Sequence, residues 1–406
     1  MSQQSLVILG AGQAAGQAIA SLRAGGFAGR ITLVGEEPSP PYQRPPLSKK
    51  YLAGEWGMDR VELKPAAFYA EAKVDMRLGT RAESIDRRSG RVHLSDGTAL
   101  PYDALVIATG SRVRRLKVPG ADLPGVFYLR TTADVDAIRP FLRAGKRLAV
   151  IGGGYIGLEV AAVARHHGLD VDVIEMTERC LNRVVAPEVS DFFEEVHRTA
   201  GVKLLLGEAV SGFEGSGRVE RVKCASGLSI SVDFAVIGVG IVPNQELAAE
   251  AGLKCENGIW VDELARTEDE AIYAAGDCAN LPSKLYGRRI RLESVHNAIE
   301  QAKTAAAAIC GKPVSYDQVP WFWSDQYELK LQIAGLNHGY DRVVMRGDPS
   351  ARKFAAFYLK AGRLIAVDAI NAAPEYMMGR KLIGEGAHVP PERLADTKVP
   401  MKEMAA

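Results

Sequence analysis

Two short stretches carry residues whose types and spacing suit one chemistry. Gly10-x-Gly12-x-x-Ala15 is followed a little over 20 residues on by Glu36, and Gly152-x-Gly154-x-x-Gly157 is followed by Glu159 and, at a similar remove, Glu175. Glycines without side chains let the backbone turn tightly and approach a pyrophosphate, which then rests on the positive end of the following helix. The acid closing the next strand is placed to accept hydrogen bonds from an adenosine ribose. Two such sites predict two dinucleotides, most economically one tightly held flavin and one exchanging nicotinamide, with hydride passing between them. Glu175 stands where the 2′-phosphate of NADP would sit. Two unit charges 4 Å apart interact by about 4 kcal/mol at an effective dielectric of 20, so NADH is expected over NADPH, unless Glu175 is a solvated strand-end acid.

Particular elements must position these residues. An apolar run at 6–9 stops at the first glycine turn, and 13–23 carry helix-favouring residues up to the Gly25-Gly26 break, which reads strand, tight turn, helix. The unit begins again with 148–151 and 156–166. Each copy is followed by an apolar strand, 31–34 and 171–174, and further buried strands at 104–107 and 234–237 occupy matching places. The pattern predicts an α/β fold with two Rossmann-like dinucleotide-binding domains. From about 319, short alternating runs at 329–334, 343–346, 354–359 and 364–370 predict the antiparallel strands of a C-terminal α+β domain. A tail dotted with Pro390, Pro391 and Pro400 is expected to wrap over the surface.

Of the 406 residues, 24% are charged and 47% apolar, as in an ordinary folded chain of two or three domains. Fifty Lys and Arg against 49 Asp and Glu leave +1, so no chain-wide field draws in nucleic acid or an anionic membrane, and a charged partner must meet a local patch. The cysteines (Cys180, Cys224, Cys255, Cys278, Cys310) are odd in number and scattered, which argues against a disulfide framework and a zinc site. His166 and His167, adjacent on a helix, point to different faces, so no metal site is expected. The start lacks a basic n-region, and the most apolar stretch, 148–164, is broken by three consecutive glycines and holds Glu159. Neither a signal peptide nor a membrane span is predicted, and a cytoplasmic location is expected.

Arg44-Pro-Pro-Leu-Ser-Lys49, Gly152-Gly-Gly-Tyr-Ile-Gly-Leu-Glu159, Ala-Ala-Gly276-Asp277-Cys, Glu293-Ser-Val295 and Trp321-Phe-Trp-Ser-Asp-Gln-Tyr327 carry a resemblance. Together they resemble the putidaredoxin reductase-like NADH:ferredoxin reductases of cytochrome P-450 and aromatic-ring dioxygenase systems, a branch of the glutathione-reductase-like flavoproteins. The likeness runs from Leu6 to about Lys402. It implies an FAD-binding domain in two parts, 1–112 and 241–318, an NAD-binding domain at 113–240 and the C-terminal domain at 319–406. It puts the FAD adenosine on Gly10, Gly12, Ala14, Ala15 and Glu36, with Ala82 touching adenine through its backbone. The isoalloxazine and ribityl chain are implied near Arg44, Pro45, Lys49, Arg130, Asp277 and Val295, with Trp323 beside the ring. NADH is implied along Gly152, Gly154, Tyr155, Ile156, Gly157 and Glu175, with Glu159 near the nicotinamide and Gly240 lining the way in. Lys49, Glu159 and Trp323 are thus the expected catalytic surroundings, Lys49 as a cation for the reduced flavin and Asp277 as an acceptor for flavin hydroxyls.

Disulfide reductases of this fold carry a Cys-x-x-x-x-Cys pair in the first long helix, and peroxide or coenzyme-A-disulfide relatives keep one cysteine near position 42, where this chain reads Pro41-Tyr42-Gln-Arg44. Cys278 reads as a small buried packing residue. With no thiol to take them, electrons are expected to leave singly to a 2Fe-2S ferredoxin serving a cytochrome P-450 monooxygenase. The alternatives are the reductase component of an aromatic-ring dioxygenase and a redox-sensing flavoprotein like apoptosis-inducing factor, whose targeting segments and basic surface are missing. Lys64, Lys303, Lys330 and Lys402 neighbour flavin-side motifs and are the expected docking cations for an acidic ferredoxin.

Overall fold

The computed structural model describes residues 4–404. The chain runs through β1 (Ser5–Leu9), α1 (Gln13–Gly25), β2 (Arg30–Gly35), β3 (Val74–Leu78), β4 (Ala104–Ile107), β5 (Val126–Tyr128) and β6 (Arg147–Ile151). It continues with α2 (Tyr155–His166), β7 (Asp170–Glu175), α3 (Pro187–Thr199), β8 (Lys203–Leu206), β9 (Phe234–Ile237), β10 (Ile272–Ala274) and α4 (Val295–Ile309). Last come β11 (Trp321–Gln326), β12 (Leu329–Gly335), β13 (Arg342–Asp348), β14 (Lys353–Lys360), β15 (Arg363–Ile370) and α5 (Ala373–Glu385). Two compact units result. The first holds Met1–Gln43, Met58–Arg112 and Val242–Pro320, and the second holds Arg44–Gly57, Val113–Ile241 and Trp321–Ala406. Residues 44–57 therefore group with the second unit although both flanks belong to the first.

The first unit is built on a parallel sheet in the order β10-β4-β1-β2-β3. Parallel strands covered on both faces need continuous apolar runs, and Leu6 to Leu9 of β1 are accordingly buried. Helices α1 and α4 pack through small side chains, Ala14, Ala15 and Ala18 on one and Ala298, Ala302, Ala305 and Ala306 on the other. The second unit repeats the plan with β8-β7-β6-β9-β5. The repeat holds in register: Leu6 lies opposite Ala104 and Leu9 opposite Ile107, while Leu148 lies opposite Phe234 and Ile151 opposite Ile237. In each sheet the strand order reverses beside the strand that leads into the glycine turn, which opens a crevice at its carboxyl end.

The second unit also holds an antiparallel sheet in the order β11-β12-β15-β14-β13. Helix α5, absent from the sequence reading, covers part of it. Its interior Gly379 weakens any helix signal, yet that glycine is what lets the helix lie close, since a Cβ there would stand 2.6 Å from Val367 Cγ1. The tail lies over the surface, with 395–398, Pro400, Lys402 and Glu403 exposed, but it is pinned at a few points. Leu394, Met401 and Met404 are buried, and the Arg346 guanidinium, 5% exposed, donates to the carbonyls of Leu394, Asp396 and Val399 at 3.3, 2.5 and 2.9 Å. It also donates to Glu375 at 3.2 Å.

Breaking a buried charged pair costs about 3–5 kcal/mol. Arg346→Met is therefore expected to lower the urea midpoint by a stability loss of that order and to open Lys398 and Lys402 to trypsin under native conditions. A variant with an unshifted midpoint and a resistant tail would refute the anchor.

Candidate functional site

In the first unit Gly10 leaves β1 at φ +104°, and a Cβ there would sit 2.2 Å from the carbonyl oxygen of Ala108. The turn itself demands glycine. Gly12, the N-cap of α1, is different: no side chain caps the helix, and a Cβ would meet nothing within 4 Å. The fold leaves room at Gly12 that only an outside group would need, which fits a pyrophosphate lying against the uncapped N–H groups. The second unit repeats both features. Gly152 has φ +107° with a would-be Cβ 2.6 Å from Gly238 O, and Gly154 is the uncapped N-cap of α2 with open space beside it. Gly157 lies so close under this turn that a Cβ would be 2.0 Å from Gly152 O. Ala14 and Ala15 are buried at the start of α1.

The two strand-end acids behave differently. Glu36 is exposed just past β2 and has no hydrogen bond or ion pair among the described residues. The Glu175 carboxylate accepts from Gly153 N at 2.7 Å, and from Thr177 N and Thr177 Oγ1 at 2.8 Å each. It braces the glycine turn and is itself held by Thr177, a role that the sequence did not disclose.

The second unit holds several of the residues assigned to the redox centre, among them Lys49, Glu159 and Trp323. A single 3-10 turn, Pro45–Ser48, ends at Lys49, whose ammonium lies 2.7 Å from Glu159 on α2. Glu159 is 3% exposed and Lys49 16%. The same carboxylate accepts from Ser48 Oγ at 2.5 Å and Ser324 Oγ at 2.6 Å. Ser48 and Ser324 sit inside the RPPLSK and WFWSDQY stretches, but their meeting on Glu159 spans 111 and 165 residues of chain and has no local signal. Arg44 donates to Arg130 O at 2.6 Å. Trp323 on β11 is half-buried, its ring 5.5 Å from that of Trp321. The Tyr155 ring packs on Phe322 at 4.8 Å, and burial holds its hydroxyl pKa well above the usual value. Ile156 is partly exposed, and Gly240 has φ +102° with the Arg183 guanidinium beside it.

In the first unit Asp277 accepts from Ser111 Oγ at 2.7 Å, and Gly276 N donates to the buried Gln301 Oε1 at 2.7 Å. Val295 is the first residue of α4, which Ser294 caps through Asn297 N. Ala82 opens a short strand, Ala82–Asp86. Lys64 and Lys303 belong to this unit, Lys330 and Lys402 to the second. All four are exposed. Lys303 is paired with Glu300 at 2.7 Å, which neutralises part of its charge.

Residues 4–302 match the family model described as pyridine nucleotide-disulphide oxidoreductase, and 321–405 match one described as reductase C-terminal. Rhodocoxin reductase of Rhodococcus erythropolis is 45% identical over 98% of this chain and 93% of its own length. Putidaredoxin reductase of Pseudomonas putida is 44% identical over 100% of this chain and 97% of its own. The chain belongs to the putidaredoxin reductase-like ferredoxin reductases. The crystal structure of a covalent putidaredoxin reductase–putidaredoxin complex matches it with a TM-score of 0.97 at 44% identity, covering 99% of this chain and 98% of that one. The family read from the motifs is thereby borne out, with its oxidoreductase class and its α/β fold. Among the described residues no helix is long and apolar enough to cross a membrane.

The two glycines of the first turn are expected to separate fold from ligand. Gly12→Ala should change stability by less than about 1 kcal/mol, as N-cap exchanges between Gly and Ala do, yet yield protein that loses its flavin on desalting. Gly10→Ala should misfold or lose several degrees of melting temperature. If Gly12→Ala retains flavin like the parent, no pyrophosphate lies against that N-terminus.

Proposed function

We propose that the chain is an FAD-dependent NADH:ferredoxin reductase that passes electrons to a 2Fe-2S ferredoxin serving a cytochrome P-450 monooxygenase. The duplicated glycine turn carries the reading, because each copy leaves an uncapped helix start and an open glycine for a pyrophosphate. Bound FAD would supply the conversion of a two-electron hydride into single electrons. The chain's own groups hold and orient. Gly10 and Gly12 shape the first cradle, and Glu36 is free to take a ribose. Lys49, fixed by Glu159, sets a positive charge beside the expected flavin. No side chain need act as acid or base in hydride transfer, so the catalytic contribution is placement.

Thiol chemistry is disfavoured by the state of the cysteines. Burial pushes Cys180 up to about 12 and Cys255 up to about 11, and raises Cys224 and Cys278. None of these four is a ready thiolate. Tyr42, near where relatives that reduce peroxides or coenzyme-A disulfides keep one cysteine, is buried and donates to Glu37 at 2.5 Å. On this reading electrons leave to an outside acceptor, and the exposed Lys64 and Lys303 of the first unit and Lys330 and Lys402 of the second are the cations proposed to meet it, Lys303 partly neutralised by Glu300. The exit surface sees only the ferredoxin, so reconstitution with a P-450 or with a ring-hydroxylating dioxygenase assigns the terminal oxygenase.

Two measurements test this assignment. Glu175→Ser should raise the NADPH-to-NADH activity ratio by about one to two decades, less than the unscreened Coulomb figure because water and salt enter an open cleft. Freed from its brace at Gly153, the same variant should also bind NADH less tightly. An unchanged ratio would remove Glu175 from the specificity site. Lys330→Glu should raise the Michaelis constant for ferredoxin several-fold and flatten its salt dependence, while NADH-driven ferricyanide reduction keeps its rate. A parallel fall in both activities would show that Lys330 supports the flavin rather than the docking.

A further inference from the structure

The hydrogen bonds on Glu159 continue through the second unit. Ser324 Oγ lies 2.6 Å from Glu159 Oε1, and Gln326 Nε2 lies 3.2 Å from Ser324 Oγ. His197 Nε2 is 2.9 Å from Gln326 Oε1, and Tyr327 Oη is 3.2 Å from His197 Nδ1. Ser324, Gln326 and His197 are at most 1% exposed. Helix α2 supplies the carboxylate, β11 the serine and glutamine, and α3 the histidine.

The direction of this chain follows from its one fixed end. A carboxylate paired with Lys49 can only accept, so the single hydroxyl proton of Ser324 points to Glu159 and its oxygen accepts from the Gln326 amide. The carbonyl oxygen of Gln326 then faces His197 and must accept, which puts the ring proton on Nε2. A neutral imidazole has one N–H, so Nδ1 is left to accept from Tyr327. Burial pushes His197 down to about 4 and Tyr327 up to about 12, the latter moderated by Arg165, so both stay neutral near pH 7. Every proton in the series points toward Glu159, and bonds aligned in this way polarise one another.

We propose that His197, Gln326 and Ser324 form a one-way hydrogen-bond chain that holds Glu159, and through it Lys49, in place. His197 is thus a positioning residue for the Lys49–Glu159 pair although it touches neither. The proposal rests on the reading of that pair as a neighbour of the cofactors, and a histidine that only fills space would tolerate either tautomer.

The test begins without turnover. In holoenzyme labelled with 15N-histidine, the resonances lost in His197→Gln identify His197, and the expected signature is a neutral ring protonated at Nε2 from pH 6 to 8. A ring protonated at Nδ1, or charged, overturns the proposal. Stopped-flow reduction by NADH then reads the consequence. His197→Phe and Gln326→Leu should each lower the limiting rate of flavin bleaching about three- to ten-fold with a smaller change in the NADH concentration at half-saturation. His197→Gln should recover most of the loss, because its amide places a donor where Nε2–H stood. Equal rates in His197→Phe and His197→Gln overturn the positioning role. A parent holoenzyme with the Nε2 tautomer that NADH does not bleach overturns the reductase reading instead and leaves the chain of bonds standing.

Discussion

A carboxylate 3% exposed cannot stand alone, and the pair it forms with Lys49 at 2.7 Å is the constraint on which the second unit depends. Burying an unpaired ion costs several kcal/mol, which close pairing and further hydrogen bonds offset. Glu159 has all of these: an ammonium, two hydroxyl donors and a polarised series behind one of them. The pair also explains why 44–57 groups with the second unit. Lys49 is tied to α2, Arg44 donates to Arg130 O, Tyr51 donates to Asp136 at 3.0 Å, and Arg139 donates back to Tyr51 O at 2.5 Å. These ties pin one short excursion of the chain at several points.

The duplicated turn shows how one backbone serves two binding regimes. Both copies press a positive-φ glycine against the strand that follows across the sheet, and both leave the N-cap glycine open. They differ at the acid. A carboxylate offers about four lone-pair sites; Glu36 has none of them taken up among the described residues, whereas Glu175 has three donors from Gly153 and Thr177 already. A ribose proposed at the first site would gain fresh hydrogen bonds, while one at the second would share an acid already engaged. That asymmetry matches a retained dinucleotide at the first turn and an exchanging one at the second.

What was legible in the sequence follows from the range of the interactions involved. Strands 104–107 and 234–237 were readable to the residue because a parallel strand buried on both faces must be apolar throughout. Helix α5 was not, because Gly379 contributes by having no side chain, and its exposed face carries Met377, 69% exposed. Lys49 and Glu159 were each singled out from motifs, but their contact is tertiary. His197 had no signal at all: it lies on an ordinary amphipathic helix and meets Gln326 across 129 residues of sequence. The prolines marked the tail as an irregular surface segment, but its anchor, Arg346, sits on a distant strand and left no local signal.

Strand β11 joins the two legible and illegible parts of the site in a single alternation. Successive side chains point to opposite faces, so Trp321 and Trp323 share one face, and Phe322, Ser324 and Gln326 share the other. The first face carries the tryptophan expected beside the flavin. The second packs Phe322 on Tyr155 and sends Ser324 and Gln326 into the buried series that ends on Glu159. The six-residue register with β12, from Trp321 opposite Ala334 to Gln326 opposite Leu329, fixes both faces together. A slip of one residue would exchange them, burying indole where hydroxyl and amide are needed and exposing the polar set. The unusual order of two tryptophans around a phenylalanine, then serine and glutamine at alternate positions, is what such a two-faced strand requires.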